Sequence, residues 1–187
     1  NNCEFGIGMD GDGDRIGVVD ETGRFIHPDR LMAVIAADVL VDRRDGTEAE
    51  RTVFFDVKCS MALEEAILSS GGVPKMVRTG HSFMKRELRS NPEAVMAGEM
   101  SGHFFLHDRW PGFDCSLYNA ARLLEIVGRD PSSKDGGMSF SQRFANLPDY
   151  PSTDETKIPL VAGREETMAA VEHAFSDTKK STVDGIR

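Results

Sequence analysis

Strand-like and helix-like segments alternate along most of this 187-residue chain. The apolar run TVFFDV predicts a buried strand, and SMALEEAILSSGG after it predicts a helix that ends at a Gly-Gly pair. KMVRT, HSFMKRELRS and AVMAGEM continue as strand, helix and strand, and DCSLYNAARLLEIVG predicts another helix. Because such alternation is typical of α/β domains, we expect an α/β fold with a mixed, largely parallel sheet flanked by helices.

Three regions of the chain differ in how complete their pattern is. Residues 24–147 contain the alternation and predict one domain, with Asp29 and Asp114 as capping residues of two helices. The incomplete pattern of residues 1–23 indicates that they are the carboxyl-terminal end of a preceding domain. Residues 148–187 contain most of the hinge NLPDYPSTDET, then a predicted strand, helix and strand, which together predict the start of a further domain. We therefore expect an interior piece of a longer protein.

Charge and composition argue against several classes of partner. Acidic residues outnumber Lys and Arg by 31 to 22, and the resulting net charge of −9 argues against nucleic acid or an anionic membrane as partner. No apolar run reaches the ~18 residues that a membrane span requires. The three cysteines share no metal-binding spacing and predict free thiols, as expected of a cytoplasmic protein.

The segment DGDGDR places Asp10, Asp12 and Asp14 at alternate positions and adds Arg15 directly after them. The intervening glycines allow the backbone to curl, so the three carboxylates can meet at one Mg²⁺ or Ca²⁺ ion, and Arg15 suits a phosphate. The spacing, with Glu21 as a fourth acid, also fits an EF-hand calcium loop. Arg15 stands where that loop needs glycine, however, and the flanks predict strands. A solvated acidic turn is the remaining alternative.

Three further turns follow predicted strands and carry polar residues. Lys58 lies in DVKCS, His81 in RTGHSFMK, and Glu99, Ser101 and His103 in AGEMSGH. Each turn alone also fits an ordinary polar surface, but the ends of parallel strands share one edge of a sheet and can line one cleft. Cations there suit phosphate, a Glu/Ser pair suits sugar hydroxyls, and histidine transfers protons near neutral pH. The combination predicts a site for a phosphorylated sugar.

DGDGDR, TGHS and GEMSGH, in this order and spacing, resemble the α-D-phosphohexomutases, most closely the bacterial phosphomannomutase/phosphoglucomutase branch. The segment RWPGFDCSLYNAARLLEI is also similar to that family. The resemblance implies a four-domain enzyme that interconverts the 1-phospho and 6-phospho forms of mannose or glucose. Such an enzyme acts through a phosphoserine and a bisphosphorylated sugar intermediate.

The resemblance also implies roles for individual residues. Mg²⁺ is the implied cofactor, bound by Asp10, Asp12 and Asp14. The implied catalytic residues are Arg15, His81 and His103, and the implied substrate-binding residues are Lys58, Glu99, Ser101 and His103.

Two motifs of the family are missing from the sequence. No stretch resembles the phosphoserine loop TASHNP, and no C-terminal loop rich in Arg, Ser and Thr occurs. We therefore expect the chain alone to be inactive, with a hexose phosphate as ligand and the remaining domains of the full-length chain as partners. Phosphoglucosamine mutase is an alternative within the family. A non-catalytic module that binds Ca²⁺ or a sugar phosphate is the alternative of another class.

Overall fold

The structure is a computed structural model that describes residues 3–129, 138–151, 156–157, 159–160, 162–174 and 176. The chain divides into two compact units, Asn1–Tyr150 and Pro151–Arg187. In the described part of the chain, no helix is both long enough and apolar enough to cross a bilayer.

An antiparallel sheet of three strands begins the first unit. It consists of β1 (Phe5–Met9), β2 (Ile16–Asp20) and β3 (Phe25–Ile26), in the order β1-β2-β3. Met9 lies opposite Ile16 in the last pair of β1 and β2, so residues 10–15 form the hairpin connection between these strands. Strands β2 and β3 lie on either side of a turn at residues 21–23, and the strands predicted to flank the aspartate loop are confirmed as β1 and β2.

A second sheet contains β4 (Thr52–Asp56), β5 (Val73–Val77), β6 (Met96–Gly98) and β7 (Phe104–Leu106). Its order is β5-β4-β6-β7. Strand β4 runs parallel to β5 and β6, whereas β7 is antiparallel to β6. The α/β fold with a mixed, largely parallel sheet is therefore confirmed. The domain boundaries predicted after residues 23 and 147 stay predictions.

Helices cover both faces of this second sheet. These helices are α1 (Pro28–Val41), α2 (Met61–Ser69), α3 (His81–Ser90) and α4 (Ser116–Arg129), and a further helix of the described residues is α5 (Arg164–Ala174). Val53 and Phe55 of β4 pack with α1, α2 and α4 in the larger core cluster, whereas Phe54 packs with Met84 and Leu88 of α3. Successive strand residues point to opposite faces, so this division follows from the extended backbone. Helix α5 lies in the second unit.

Both predicted capping aspartates were wrong, because each carboxylate has a different partner. Helix α1 has His27 at its N-cap position, and the buried Asp29 accepts a hydrogen bond from the backbone N–H of Ser60, at 3.0 Å. Helix α4 begins at Ser116, and the Asp114 carboxylate pairs with Lys85 instead.

Of the two strands predicted on either side of α5, neither is confirmed. TKIPLV is not a strand where the structure describes it, at residues 156–157 and 159–160. The strand predicted for KSTVDGIR lies outside the described residues.

A buried arginine joins three elements on the α4 side of the sheet. The Arg122 side chain is 5% exposed and donates hydrogen bonds to Asp38 of α1, to Asp108 after β7 and to Glu125 of α4. Burial raises the pKa of Asp38, although the nearby Arg129 opposes this shift. The three carboxylates share the buried Arg122, and the more exposed Arg109 and Arg129 also pair with them, so Arg122 is a structural cation of the domain.

We expect Arg122→Met to lower the free energy of unfolding by about 3 kcal/mol, because it removes the buried cation that three partly buried carboxylates share. Urea unfolding followed by circular dichroism measures the change. Arg109→Met is the matched control. Arg109 bonds the same Glu125 but is 54% exposed, so its loss is expected to cost less than about 1 kcal/mol. Equal losses for the two variants would contradict the structural role of Arg122.

Candidate active site

The connection between β1 and β2 gathers its three aspartates. Oδ1 of Asp10 accepts hydrogen bonds from the backbone N–H groups of Asp14, at 3.1 Å, and Arg15, at 3.0 Å. These bonds, with the Arg15 N–H as the largest contribution, hold the pKa of Asp10 below its usual value. Asp10, Asp12 and Asp14 each offer one carboxylate oxygen, and these oxygens all lie within 4.8 Å of one another.

This carboxylate group fits a hard divalent cation. Oδ1 of Asp14 is buried and accepts no hydrogen bond from the described residues, so it retains an unused lone pair. Asp10 and Asp12 are exposed, which leaves the loop open to solvent. Carboxylate oxygens are the ligands that Mg²⁺ and Ca²⁺ prefer, and three of them converge here. The structure therefore brings the three predicted metal ligands together.

Arg15 and His103 join this loop to the GEMSGH segment. Nε–H of Arg15 donates to Nε2 of His103 at 3.2 Å, and the two residues form an antiparallel β-bridge. The backbone N–H of Ile16 donates to the carbonyl of Gly102 at 3.1 Å. Gly102 has φ +94°, and a Cβ there would lie 2.7 Å from the Ile16 carbonyl oxygen, so only glycine fits. The two predicted motifs thus form one continuous structure.

His103 is buried between a carboxylate and an arginine. Arg15 can only donate, and Glu99 lies nearer to Nδ1, at 3.0 Å, than Asp14 lies to Nε2, at 3.4 Å, so we assign the ring hydrogen to Nδ1 and the acceptor to Nε2. Nδ1 lies 3.0 Å from Oε2 of Glu99 and 2.8 Å from Oγ of Ser101. The hydrogen bond to Glu99 raises the pKa of His103, and burial opposes this shift. The ring can therefore accept a proton at Nε2, and Glu99 stabilises the resulting imidazolium.

Glu99 also connects GEMSGH to the TGHS segment. Its side chain is 2% exposed, and Oε1 accepts a hydrogen bond from the backbone N–H of Gly80 at 2.5 Å. Gly80 is the N-cap residue of α3, so His81 begins that helix next to the GEMSGH loop. The His81 and His103 rings lie 5.7 Å apart between centroids. Both carboxylate oxygens of Glu99 have partners inside the protein, and its contact with a sugar hydroxyl stays a prediction.

Asp56 is a residue of the site that the sequence patterns did not identify. It ends β4 and is fully buried. Oδ1 accepts hydrogen bonds from the Met100 backbone N–H and the Cys59 thiol, both at 3.0 Å, and Oδ2 accepts one from the Thr79 hydroxyl at 3.2 Å. One carboxylate therefore ties together the turns after β4, β5 and β6. An acid directly after three consecutive apolar residues of a strand was the signal that could have found it.

The remaining predicted residues differ in position. Ser101 is exposed and, with Asp10, Arg15 and Met100, lines a cleft of about 380 Å³. Lys58 is exposed in the turn between β4 and α2. The structure thus brings the metal loop, TGHS and GEMSGH together, and the contact of Lys58 with a ligand stays a prediction.

Residues 27–150 match the family model described as "Phosphoglucomutase/phosphomannomutase, alpha/beta/alpha domain III". The chain belongs to the phosphoglucomutase/phosphomannomutase family. The predicted resemblance to the phosphohexomutases is thereby confirmed, and the connected motifs are those of a phosphoglucomutase/phosphomannomutase domain III with its neighbouring hairpin.

Relatives in this family are longer than the chain. A phosphomannomutase/phosphoglucomutase of Pseudomonas syringae pv. tomato is 40% identical over 190 residues, which cover 99% of this chain and 38% of that protein. A phosphoglucomutase of Neisseria gonorrhoeae is 41% identical and is 39% covered. The crystal structure of a phosphoglucomutase/phosphomannomutase family protein from Burkholderia thailandensis has a TM-score of 0.83 and 37% identity, with 100% of this chain and 38% of that chain covered. The chain thus spans about two-fifths of these relatives.

Removing the charge of Asp56 should loosen the turns that it connects. Asparagine offers one acceptor oxygen, and its amide N–H₂ would face a donor. We therefore expect Asp56→Asn to lower the free energy of unfolding by about 1–3 kcal/mol and to speed hydrogen exchange at the Met100 amide. Urea unfolding and amide exchange measured by NMR test both effects. The exposed Asp45→Asn is the control, and an equally small effect of both substitutions would contradict the role of Asp56.

The raised pKa of His103 predicts a pH dependence of stability. A pKa above the unfolded value near 6.5 means that protonated His103 stabilises the fold. This stabilisation is complete below that value and is lost as the pH rises through the folded-state pKa. We expect Glu99→Gln to lower the pKa of His103 and to flatten this loss. NMR titration and urea unfolding between about pH 6 and pH 8, with chelator present, test this. The exposed Glu93→Gln should change neither quantity.

Proposed function

We propose that this chain supplies the metal-binding and sugar-binding part of a phosphohexomutase that acts on mannose or glucose phosphates. The observation that carries the proposal is the Arg15–His103 contact, which unites the carboxylate loop with GEMSGH. The relatives named phosphomannomutase/phosphoglucomutase, at 40% identity, support this substrate class. The partners are a hexose phosphate and the remaining part of a longer chain, and free cysteines favour a cytoplasmic location.

Asp10, Asp12 and Asp14 would hold the metal ion, which we propose is Mg²⁺. When bound, Mg²⁺ offsets the negative charge of the phosphoryl group that is transferred. Arg15 adds a permanent positive charge beside the same loop, with its Nε 3.6 Å from Oδ2 of Asp10. Phosphoryl transfer depends mainly on positioning and charge compensation, and these four residues supply both.

His103 is the proposed acid–base residue. A sugar hydroxyl that attacks phosphorus must lose its proton, and Nε2 of His103 accepts that proton when Arg15 turns to the phosphate. Glu99, 3.0 Å from Nδ1, stabilises the charge that the ring then carries. In the reverse direction the same nitrogen returns the proton to the sugar oxygen, so one residue serves as base and as acid.

Ser101, Lys58 and His81 recognise the ligand in this proposal. Nδ1 of His103 carries one hydrogen, which faces both Glu99 and Ser101, so the Ser101 O–H cannot donate to that nitrogen and is left to donate to a sugar hydroxyl. The buried Glu99 orients the His103 ring in this arrangement through its contact with Nδ1. Lys58 and His81 stand on the turns that follow β4 and β5, where positive charge and N–H donors suit phosphate oxygens.

Binding of Mg²⁺ by the chain tests the proposal. Asp12 is exposed and is the ligand to replace, because Asp10 also holds the loop backbone. By calorimetry, we expect Mg²⁺ binding that Asp12→Asn weakens at least about tenfold, without a change in the urea midpoint. Asp45→Asn is the matched control and should leave binding intact.

A second titration, with glucose 1-phosphate and ³¹P NMR, should then show a shifted phosphate signal only when Mg²⁺ and wild-type Arg15 are present. A strong preference for Ca²⁺ over Mg²⁺, unaffected by Arg15→Ala, would instead identify a calcium-binding module.

A further inference from the structure

Lys85 lies between a buried carboxylate and His81. It is placed one turn after His81 on α3, and its Nζ is 2.6 Å from Oδ1 of Asp114 and 3.4 Å from Nδ1 of His81. The same ammonium lies 5.9 Å from the ring centroid of Phe105. Three residues from two separate segments therefore form a chain of contacts, Asp114–Lys85–His81, that ends at a residue of the candidate active site.

Asp114 fixes the position of the Lys85 ammonium. Its side chain is 5% exposed, and its second oxygen, Oδ2, accepts no hydrogen bond from the described residues. A carboxylate buried in this way depends on its counter-charge, because an unpaired buried charge is strongly destabilising. Turning Lys85 into solvent would remove the cation paired with this carboxylate, which otherwise has ligand atoms of Asp14 and His103 within 4.8 Å. The ion pair therefore favours one orientation of the lysine.

The fixed ammonium determines which nitrogen of His81 carries the hydrogen. An ammonium has three N–H donors and no acceptor, so the nitrogen that faces it, Nδ1, must accept. The neutral imidazole then carries its hydrogen on Nε2, because the hydrogen bond at one ring nitrogen sets the state of the other.

We propose that Lys85, held by Asp114, is a positioning residue that keeps His81 as an Nε2–H donor for an oxygen atom of a phosphoryl group. The identity of this ligand rests on the proposed function, whereas the state of the ring does not.

His103 has the opposite arrangement 5.7 Å away. Its Nε2 accepts from Arg15 and its hydrogen is on Nδ1, next to Glu99. The two histidines thus divide the chemistry of the site between them, since His81 presents a donor and His103 an acceptor at the equivalent nitrogen. Lys85 and Arg15, one beside each ring, select these two states because each cation can only donate a hydrogen bond.

The hydrogen position on His81 can be measured by ¹⁵N NMR of the imidazole rings in the 187-residue chain. We expect the wild type to show Nε2–H at His81. Lys85→Met should lower the ratio of Nε2–H to Nδ1–H about tenfold, as expected for the loss of one charged hydrogen bond. Lys85→Arg should restore the wild-type ratio, because arginine also only donates. Arg89→Met, one turn further along α3, is the matched control and should leave the ratio unchanged.

Lys85→Met can unfold the domain by leaving Asp114 unpaired, so the double variant Lys85→Met/Asp114→Asn, which removes both charges, is measured beside it. A wild-type ring with its hydrogen on Nδ1, or a ratio changed less than twofold in both variants, overturns the proposal. Glucose 1-phosphate titrated into the same samples separates the two hypotheses. If Lys85→Met lowers the Nε2–H to Nδ1–H ratio as expected but no sample binds glucose 1-phosphate, the role of Lys85 stands and the proposed function is refuted. Binding that Lys85→Met weakens, and Arg89→Met does not, supports both.

Discussion

The buried carboxylate of Asp56 is the interaction on which the site depends. It is fully buried at the end of the central strand β4, and its hydrogen-bond donors come from three different turns. A carboxylate in this position is stable only when those donors are in place, because desolvation of a charge without hydrogen bonds is costly. The folding of the sheet and the ordering of the loops above it are therefore coupled. Cys59 is part of this arrangement, and burial, with the nearby Asp56 charge, raises the pKa of its thiol.

Glu99, which follows the neighbouring strand β6, is a second buried carboxylate that connects separate segments of the site. Its carboxylate accepts from the Gly80 backbone and faces His103, so it joins a helix start to a side chain that can carry charge. Asp56 and Glu99 are thus two buried acids that hold the loops carrying His81 and His103. Glu99 also compensates the positive charge that His103 gains on protonation, which favours a basic group at this point of a protein with net charge −9.

The sequence predicted the elements and the motifs better than their contacts. The sheet strands could be identified because short runs of β-branched and aromatic residues alternate, along the chain, with longer segments of helical periodicity. It could not assign Asp29 and Asp114, since a carboxylate before a helix predicts a cap, whereas tertiary neighbours supplied Ser60 and Lys85 as partners. Asp56 was missed for a related reason. Its role depends on donors that are distant in sequence, and only the parallel pairing of β4 with β5 and β6 brings them together.

The backbone contacts between Arg15 and His103 and between Ile16 and Gly102 join the start of β2, in one sheet, to the turn before β7, in the other. Gly102 has no room for a Cβ, because the backbone of Ile16 lies directly against it. The carboxylate loop and His103 are therefore held at one separation by backbone contacts, which rotation of a side chain cannot change. In the proposed function, a change in the distance between the metal ion and the proton acceptor would require this backbone junction to open.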